Sequence, residues 1–181
     1  MENIHELIKE RYSTVVFSSK QVEDNKLTLL LEAARWAPSS FNEQPWKFIV
    51  GIKGKDENYE NLYNCLMEAN QNWAKYAPVL VLSMAQKNSP VTGKPNRFAQ
   101  YDTGMAMGNL LAQATSLDLF VHQMGGYSVN KAKELFKLGD EYELMAAMAI
   151  GYRGDVNLFP DDLKERESKK RYRKPLDEIL F

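Results

Sequence analysis

The chain has 181 residues, of which 44% are hydrophobic and 26% charged, and 23 Lys and Arg nearly balance 24 Asp and Glu. These values are ordinary for a globular domain, and they argue against global disorder and against a nucleic-acid binder held by overall basic charge. The single cysteine, Cys65, excludes an internal disulfide, and His5 and His122 lack metal-ligand spacing, so we expect no metal site. No apolar run reaches the roughly 20 residues that span a bilayer, so we expect a cytoplasmic protein.

The first half of the chain predicts helices, a loop and a strand. Apolar residues at helical spacing predict an amphipathic helix that ends near Arg11. They predict a second helix that Asp24 caps and that ends before Pro38, because proline cannot continue a helix. The segment 57–75 has a helical pattern that is broken and polar. The other expected elements are a loop over 38–45 and a strand over 46–50.

The second half predicts a long helix and two buried strands. Residues 79–82 and 145–152 are continuous apolar runs, which are typical of strands covered on both faces. Residues 98–117 are apolar nearly all round, so we expect a buried helix. The other expected elements are a long loop over 86–96, strand-like residues from 121 that end in a turn at 125–126, a short helix over 130–136 and a charged tail over 164–174. Together they predict one domain over residues 1–181, a three-layer α/β or α+β fold with a small sheet between helices.

The densest charge feature is the run of basic residues from Arg166 to Lys174. Its ordinary interpretation is a solvated tail that nearby acidic residues balance. The alternative is that two of these residues clamp a phosphate, joined by Arg11 and the hydroxyl of Ser13, because arginine favours bidentate phosphate contacts.

A polar loop and one glycine pair are further candidates for ligand binding, and a second glycine pair is a candidate for helix packing. The loop 38–44 concentrates neutral donors and acceptors, which suit the edge of a planar heterocycle or simply form a connector with turns. Gly125 and Gly126 allow close backbone approach to a flat ligand, or form a plain turn. Gly104 and Gly108 favour close helix packing. Since Gly-x-Ser-x-Gly and phosphate-loop motifs are absent, a serine hydrolase, an NTPase and a dinucleotide Rossmann site have no support.

In their order and spacing, these features resemble the nitroreductase family of FMN-dependent oxidoreductases over essentially the whole chain. The family's Arg-Arg-Ser-x-Arg-x-Phe motif corresponds to Arg11–Phe17, and its Ala-Pro-Ser-Ser-x-Asn-x-Gln-Pro-Trp motif is intact from Ala37 to Trp46. Further matching features are Trp73-x3-Ala77-Pro78, Asp102 at the start of the long helix, Gly125-Gly126-Tyr127, Ile150-Gly151-Tyr152, and the basic run that ends in Lys174-Pro175-Leu176.

The resemblance implies an α+β, three-layer α/β/α fold in which helices flank a mainly antiparallel sheet, and an intertwined homodimer with FMN at the subunit interface. It implies an oxidoreductase that uses NADH or NADPH in a ping-pong mechanism to reduce a nitroaromatic, a quinone or a similar flat acceptor. Flavin N5 carries that chemistry, so no dedicated acid or base is required. The alternatives are a flavin-binding module (a reservoir or regulator) with little turnover, a specialised relative such as a deiodinase or flavin-cleaving enzyme, and an interaction protein without cofactor.

The resemblance also implies contacts to the phosphate end of the cofactor. Arg11 and Ser13 are expected to contact the phosphate and ribityl chain, with Tyr12 alongside. Arg171 and Arg173 are expected to complete the phosphate clamp from the C-terminal tail. The other subunit is expected to contribute a loop whose residues line the ring and tail, namely Pro38, Ser39, Ser40 and Asn42.

At the ring end, the resemblance implies contacts from Asn70, Gly125 and Gly126. The Asn70 amide is expected to hydrogen-bond the ring, the backbone N–H near Gly125 to face N5, and Gly126 to leave room. Two residues depart from the family pattern. Val15 replaces an Arg or Lys near the flavin N1/O2 edge, so we expect less favourable two-electron reduction. Asp118 replaces a glycine after the long helix and is a poorer left-handed cap.

Overall fold

An antiparallel sheet organises the chain. The computed structural model describes residues 4–181, so the first three residues of the predicted domain lie outside the described residues. Within that range the sheet has four strands, in the spatial order β1-β2-β4-β3, and every neighbouring pair is antiparallel. The strands are β1 (Trp46–Ile52), β2 (Val79–Gln86), β3 (Phe120–Met124) and β4 (Tyr142–Gly151).

Helices cover the sheet and connect its strands. In the described range, none of them is long and apolar enough to cross a lipid bilayer. The α-helices are α1 (Glu6–Glu10), α2 (Asp24–Arg35), α3 (Glu57–Cys65), α4 (Glu68–Ala74), α5 (Ala99–Ser116), α6 (Val129–Phe136) and α7 (Asp161–Ser168). Short 3-10 turns lie at Ser40–Asn42, Val156–Leu158 and Leu176–Glu178.

The central strand β2 shows how the layers form. Successive side chains of a strand point to opposite faces. Leu80 and Leu82 join a core cluster with residues of α3, α4, α6 and α7, whereas Val79 and Val81 join a second cluster with residues of α2 and α5. The continuous apolar run therefore is buried on both faces, as expected, and the α+β, three-layer architecture is confirmed.

Most predicted elements form close to their expected limits. The broken helical segment divides into α3 and α4, and the long apolar helix is α5. One local prediction is wrong, and one helix was not predicted. Asp24 does not cap α2, because Glu23 is the N-cap and Asp24 is the first helical residue, whose carboxylate pairs with Lys55 at 2.9 Å. The charged tail begins with α7, which the sequence did not predict, and this helix buries Leu163 and Glu167.

The helix α5 differs from its expected burial. Ala106, Leu110 and Ala114 lie in the core, but Gly104 and Gly108 lie on an exposed face. A Cβ atom placed on either glycine meets no atom within 4 Å. The expected packing of another helix against these glycines is therefore not made by the described part of the chain.

The end of α5 confirms the left-handed position at Asp118. Its φ is 57°, and its N–H donates to the Thr115 carbonyl at 3.2 Å. The N–H of Leu119 donates to the Ala114 carbonyl at 2.9 Å. This pair of hydrogen bonds is the Schellman motif, in which glycine is the usual left-handed residue.

Candidate functional site

The structure brings together the arginines of the predicted phosphate clamp. Arg11 follows α1 and donates from Nη1 to the Ser13 hydroxyl at 3.1 Å. Arg171, from the C-terminal tail, donates to the main-chain carbonyls of Arg11 and Lys9 at 2.7 and 2.6 Å. Arg173 lines the same groove, which has a volume of about 480 Å³. Burial, followed by the charges of Arg173 and Arg171, lowers the pKa of Arg11.

This cluster of three arginines has positive charge that residues 4–181 do not neutralise through ion pairs. Among residues 4–181, no carboxylate forms an ion pair with Arg11, Arg171 or Arg173. Like charges held at close range repel one another, and an anion between them removes that cost. Arginine binds phosphate oxygens with two parallel hydrogen bonds, so the donor set fits a phosphate group.

The groove continues from the arginine cluster along α5. A neighbouring cavity of about 280 Å³ shares Gly108 and Leu111 with the first and reaches Gln123 on β3 and Met145 on β4. The missing side chains of the α5 glycines widen this path. The arrangement is a trough with a cationic end at the arginines and apolar side chains such as Leu111 and Met145 along it.

A buried carboxylate fixes the turn that carries the clamp. The side chain of Glu167 on α7 is 2% exposed and accepts three hydrogen bonds: from Thr14 Oγ1 at 2.9 Å, from the Val15 N–H at 3.0 Å and from Arg153 Nε at 2.8 Å. Its own main-chain carbonyl accepts from the Tyr12 hydroxyl at 2.7 Å. The segment after Arg11 is thereby anchored to α7 at several points.

Glu167 was not among the functional residues predicted from the sequence. The available signal was its place four residues after Leu163, which puts both on one face of a helix. An acidic residue on an apolar helical face needs buried partners. Here two of the three partners, Thr14 and Val15, come from the opposite end of the chain, and no local pattern identifies them.

Val15 does not occupy the expected position. Its side chain is 1% exposed and packs in the core cluster that also contains Phe17 and Trp73. The Val15 N–H donates to Glu167, and the buried side chain leaves no exposed surface for a ligand, so the placement of Val15 at the flavin N1/O2 edge stays a prediction. His122 Nδ1 lies 2.9 Å from the Thr14 carbonyl, and burial is the main cause that lowers the pKa of His122.

The predicted ring contacts form a second group. Asn70 Nδ2 donates to the Gly126 carbonyl at 2.9 Å, and the Met67 N–H donates to the same oxygen at 3.0 Å. A Cβ atom on Gly126 would lie 2.7 Å from Asn70 Nδ2, so a larger residue there would displace the Asn70 amide. Gly125 is exposed. Gln123 lies two residues before it, on the exposed side of β3, and was not among the residues predicted from the sequence.

The loop from Pro38 to Asn42 is the third set of predicted site residues. It contains a 3-10 turn with positive φ at Phe41 (52°) and Asn42 (56°), an unusual conformation for residues other than glycine. The buried carboxylate of Asp102, at the start of α5, accepts a hydrogen bond from the Ser40 N–H at 3.0 Å. In the described chain, no hydrogen bond or ion pair joins this loop to the arginine cluster or to Asn70.

The chain is similar to known proteins in sequence and in fold along most of its length. The family model described as "Nitroreductase family" matches residues 8–72 and 54–152. A protein of Archaeoglobus fulgidus, provisionally named an NADH dehydrogenase/NAD(P)H nitroreductase, is 46% identical over 88% of this chain and 90% of its own. The major NAD(P)H-flavin oxidoreductase of Aliivibrio fischeri is 29% identical over 82% and 86%. A crystal structure described as an oxidoreductase containing FMN is 33% identical, with a TM-score of 0.92 over 99% of this chain and 91% of that one.

Proposed function

The chain belongs to the nitroreductase family, and we propose that it is an FMN-dependent oxidoreductase. It takes electrons from NADH or NADPH and passes them, in a ping-pong cycle, to a nitroaromatic, a quinone or a similar flat acceptor. The observation that carries this proposal is the cluster of Arg11, Arg171 and Arg173, whose charge no carboxylate of residues 4–181 pairs. The names of the similar proteins support the FMN and NAD(P)H assignments.

The residues of the chain bind and orient the cofactor in this proposal. The arginine cluster and the Ser13 hydroxyl hold the phosphate. Glu167 keeps the segment after Arg11 in place. Asn70 and Gly126 form one wall at the ring end, where the Asn70 carbonyl oxygen is left to accept a hydrogen bond. When bound, FMN supplies the two-electron chemistry, so the chain needs no acid or base of its own.

We further propose that two copies of the chain form the functional unit. The glycine face of α5 is open in the described chain, and Trp36 and Leu29 of the adjoining surface are exposed. Large exposed apolar patches mark interaction surfaces. In a homodimer, the Pro38–Asn42 loop of the second copy contributes to the cofactor site of the first.

The test of the cofactor assignment is flavin binding by the purified protein and its variants. Arg11→Ala and Arg173→Ala are expected to weaken FMN binding roughly tenfold or more, because a charged hydrogen bond contributes about 1.5–3 kcal/mol. Riboflavin, which lacks the phosphate, is expected to bind these variants and the original protein alike. Arg35→Ala is the control, since Arg35 pairs with Glu32 on the surface. A protein that takes up no FMN refutes the proposal, and full FMN affinity in both variants refutes the clamp.

The alternative of a flavin-binding module with little turnover predicts a different result in a second assay. Anaerobic NADH or NADPH is expected to bleach the flavin absorption of the oxidoreductase within seconds. Retention of the yellow colour with both donors would identify the module instead.

A further inference from the structure

A separate groove of about 510 Å³ lies between the 38–45 loop and the segment that follows β2. It shares no lining residue with the groove of the arginine cluster. Its apolar walls include Phe41, Val91 and Phe98, and the first two are 95% and 85% exposed. The volume is in the usual range for a small-molecule site, and aromatic walls suit a flat ligand.

The groove also has one cationic and one acidic residue in its lining, Arg97 and Glu43. Arg97 lies with its guanidinium 4.5 Å from the centre of the Phe98 ring. Within residues 4–181 it forms no ion pair with a carboxylate. The acidic residue of the groove, Glu43, already accepts a hydrogen bond from Asn96 Nδ2 at 2.9 Å. A stacked guanidinium keeps its N–H edge available for a carboxylate.

Hydrogen bonds hold one wall of the groove, and the other wall contains a left-handed residue. The long loop expected over 86–96 folds back on itself as a short hairpin, in which the Ser89 N–H donates to the Lys94 carbonyl and the Asn96 N–H to the Lys87 carbonyl, both at 2.8 Å. This hairpin leads directly into Arg97. On the other wall, the left-handed backbone of Phe41 is strained, and such strain concentrates at functional sites.

We propose that this groove selects flat acceptors that carry a carboxylate, with the aromatic ring between Phe41 and Phe98 and the carboxylate on Arg97. The inference rests on the proposed function, because Ser40 belongs both to this groove and to the loop assigned to the cofactor. With 4-nitrobenzoate, one NAD(P)H and one proton reduce the nitro group to a nitroso group and release one water. The neutral analogue 4-nitrobenzamide has the same ring and nearly the same size.

The experiment measures the dissociation constants of both compounds for the oxidised holoenzyme by calorimetry, without NAD(P)H. The holoenzyme is expected to bind 4-nitrobenzoate more tightly than 4-nitrobenzamide, and more so at low salt. Arg97→Ala is expected to weaken 4-nitrobenzoate binding roughly five- to tenfold, the effect of one charged hydrogen bond at an exposed arginine. The same variant is expected to bind 4-nitrobenzamide within about twofold of the original, and Arg97→Lys to restore part of the loss.

Lys94→Ala is the matched control, because it removes one positive charge from the same hairpin at a residue that does not line the groove. The inference is overturned if Arg97→Ala weakens both compounds equally or neither, or if Lys94→Ala causes the same loss. Flavin content and bleaching by NAD(P)H are measured on the same preparations. A protein without flavin overturns the proposed function as well, whereas a flavin-loaded protein that bleaches without carboxylate preference overturns only this inference.

Discussion

Removal of the Glu167 carboxylate tests the anchoring of the phosphate-binding turn. Glu167→Ala takes the acceptor away from three donors at once. The Thr14 hydroxyl and the Val15 N–H belong to fully buried residues, so water does not replace the carboxylate there. The side chain of Arg153 is 48% exposed, so water replaces the hydrogen bond that Arg153 loses.

The expected loss follows from these two buried donors. A buried donor without a partner costs about 1–3 kcal/mol. Thr14 lies at the low end of that range, because its Oγ1 is also 3.3 Å from the Val16 carbonyl and can donate there. The Val15 N–H has no such alternative. The sum is roughly 2–4 kcal/mol, a large part of the 5–15 kcal/mol typical of a folded domain.

Urea unfolding followed by circular dichroism at pH 7 measures this loss, and the melting temperature is expected to fall by roughly 5–15 °C. Glu167→Gln keeps one acceptor oxygen and is expected to lose about half as much free energy. The control is Glu165→Ala on the exposed side of the same helix, with an expected change within about 0.5 kcal/mol. Equal stability of the Glu167→Ala and Glu165→Ala variants would refute the assigned role of the buried carboxylate.

Three further predictions follow from other features of the structure. Burial lowers the pKa of His122 in the folded protein. As the pH falls below about 6.5, this histidine therefore binds a proton more readily in the unfolded chain than in the folded protein. Stability is therefore expected to fall between pH 7 and pH 5, and His122→Gln, but not His5→Asn, to reduce that fall; unfolding curves with the same pH dependence in both variants would contradict this. Gly108→Leu adds a side chain where nothing in the described chain lies within 4 Å, so folding is expected to persist while sedimentation shows a shift from dimer to monomer; an unchanged dimer would place the interface elsewhere. Asp118→Gly is expected to stabilise the protein by roughly 0.5–1 kcal/mol in thermal unfolding, because glycine has no Cβ penalty at φ 57°, and a loss would show that the Asp118 side chain has a role of its own.

The local sequence determined most of the secondary structure. The run that begins at Val79 contains only apolar residues, which requires cover on both sides of a strand, and the structure provides it. Pro38 prevents further helix, so α2 ends at Arg35. The family motifs, above all the one from Ala37 to Trp46, identified the family because they combine rare residue types at fixed spacing.

Only the tertiary structure decided which distant residues meet. Arg171 reaches the carbonyl of Arg11 across 160 positions, and Glu167 reaches Val15 across 152. The sequence left the basic tail open between a solvated segment and a clamp, and it did not indicate that the Val15 side chain packs in the core. Periodicity reports only the neighbours of a residue along its own helix or strand, whereas these contacts depend on how α7 and the tail pack against the turn after α1.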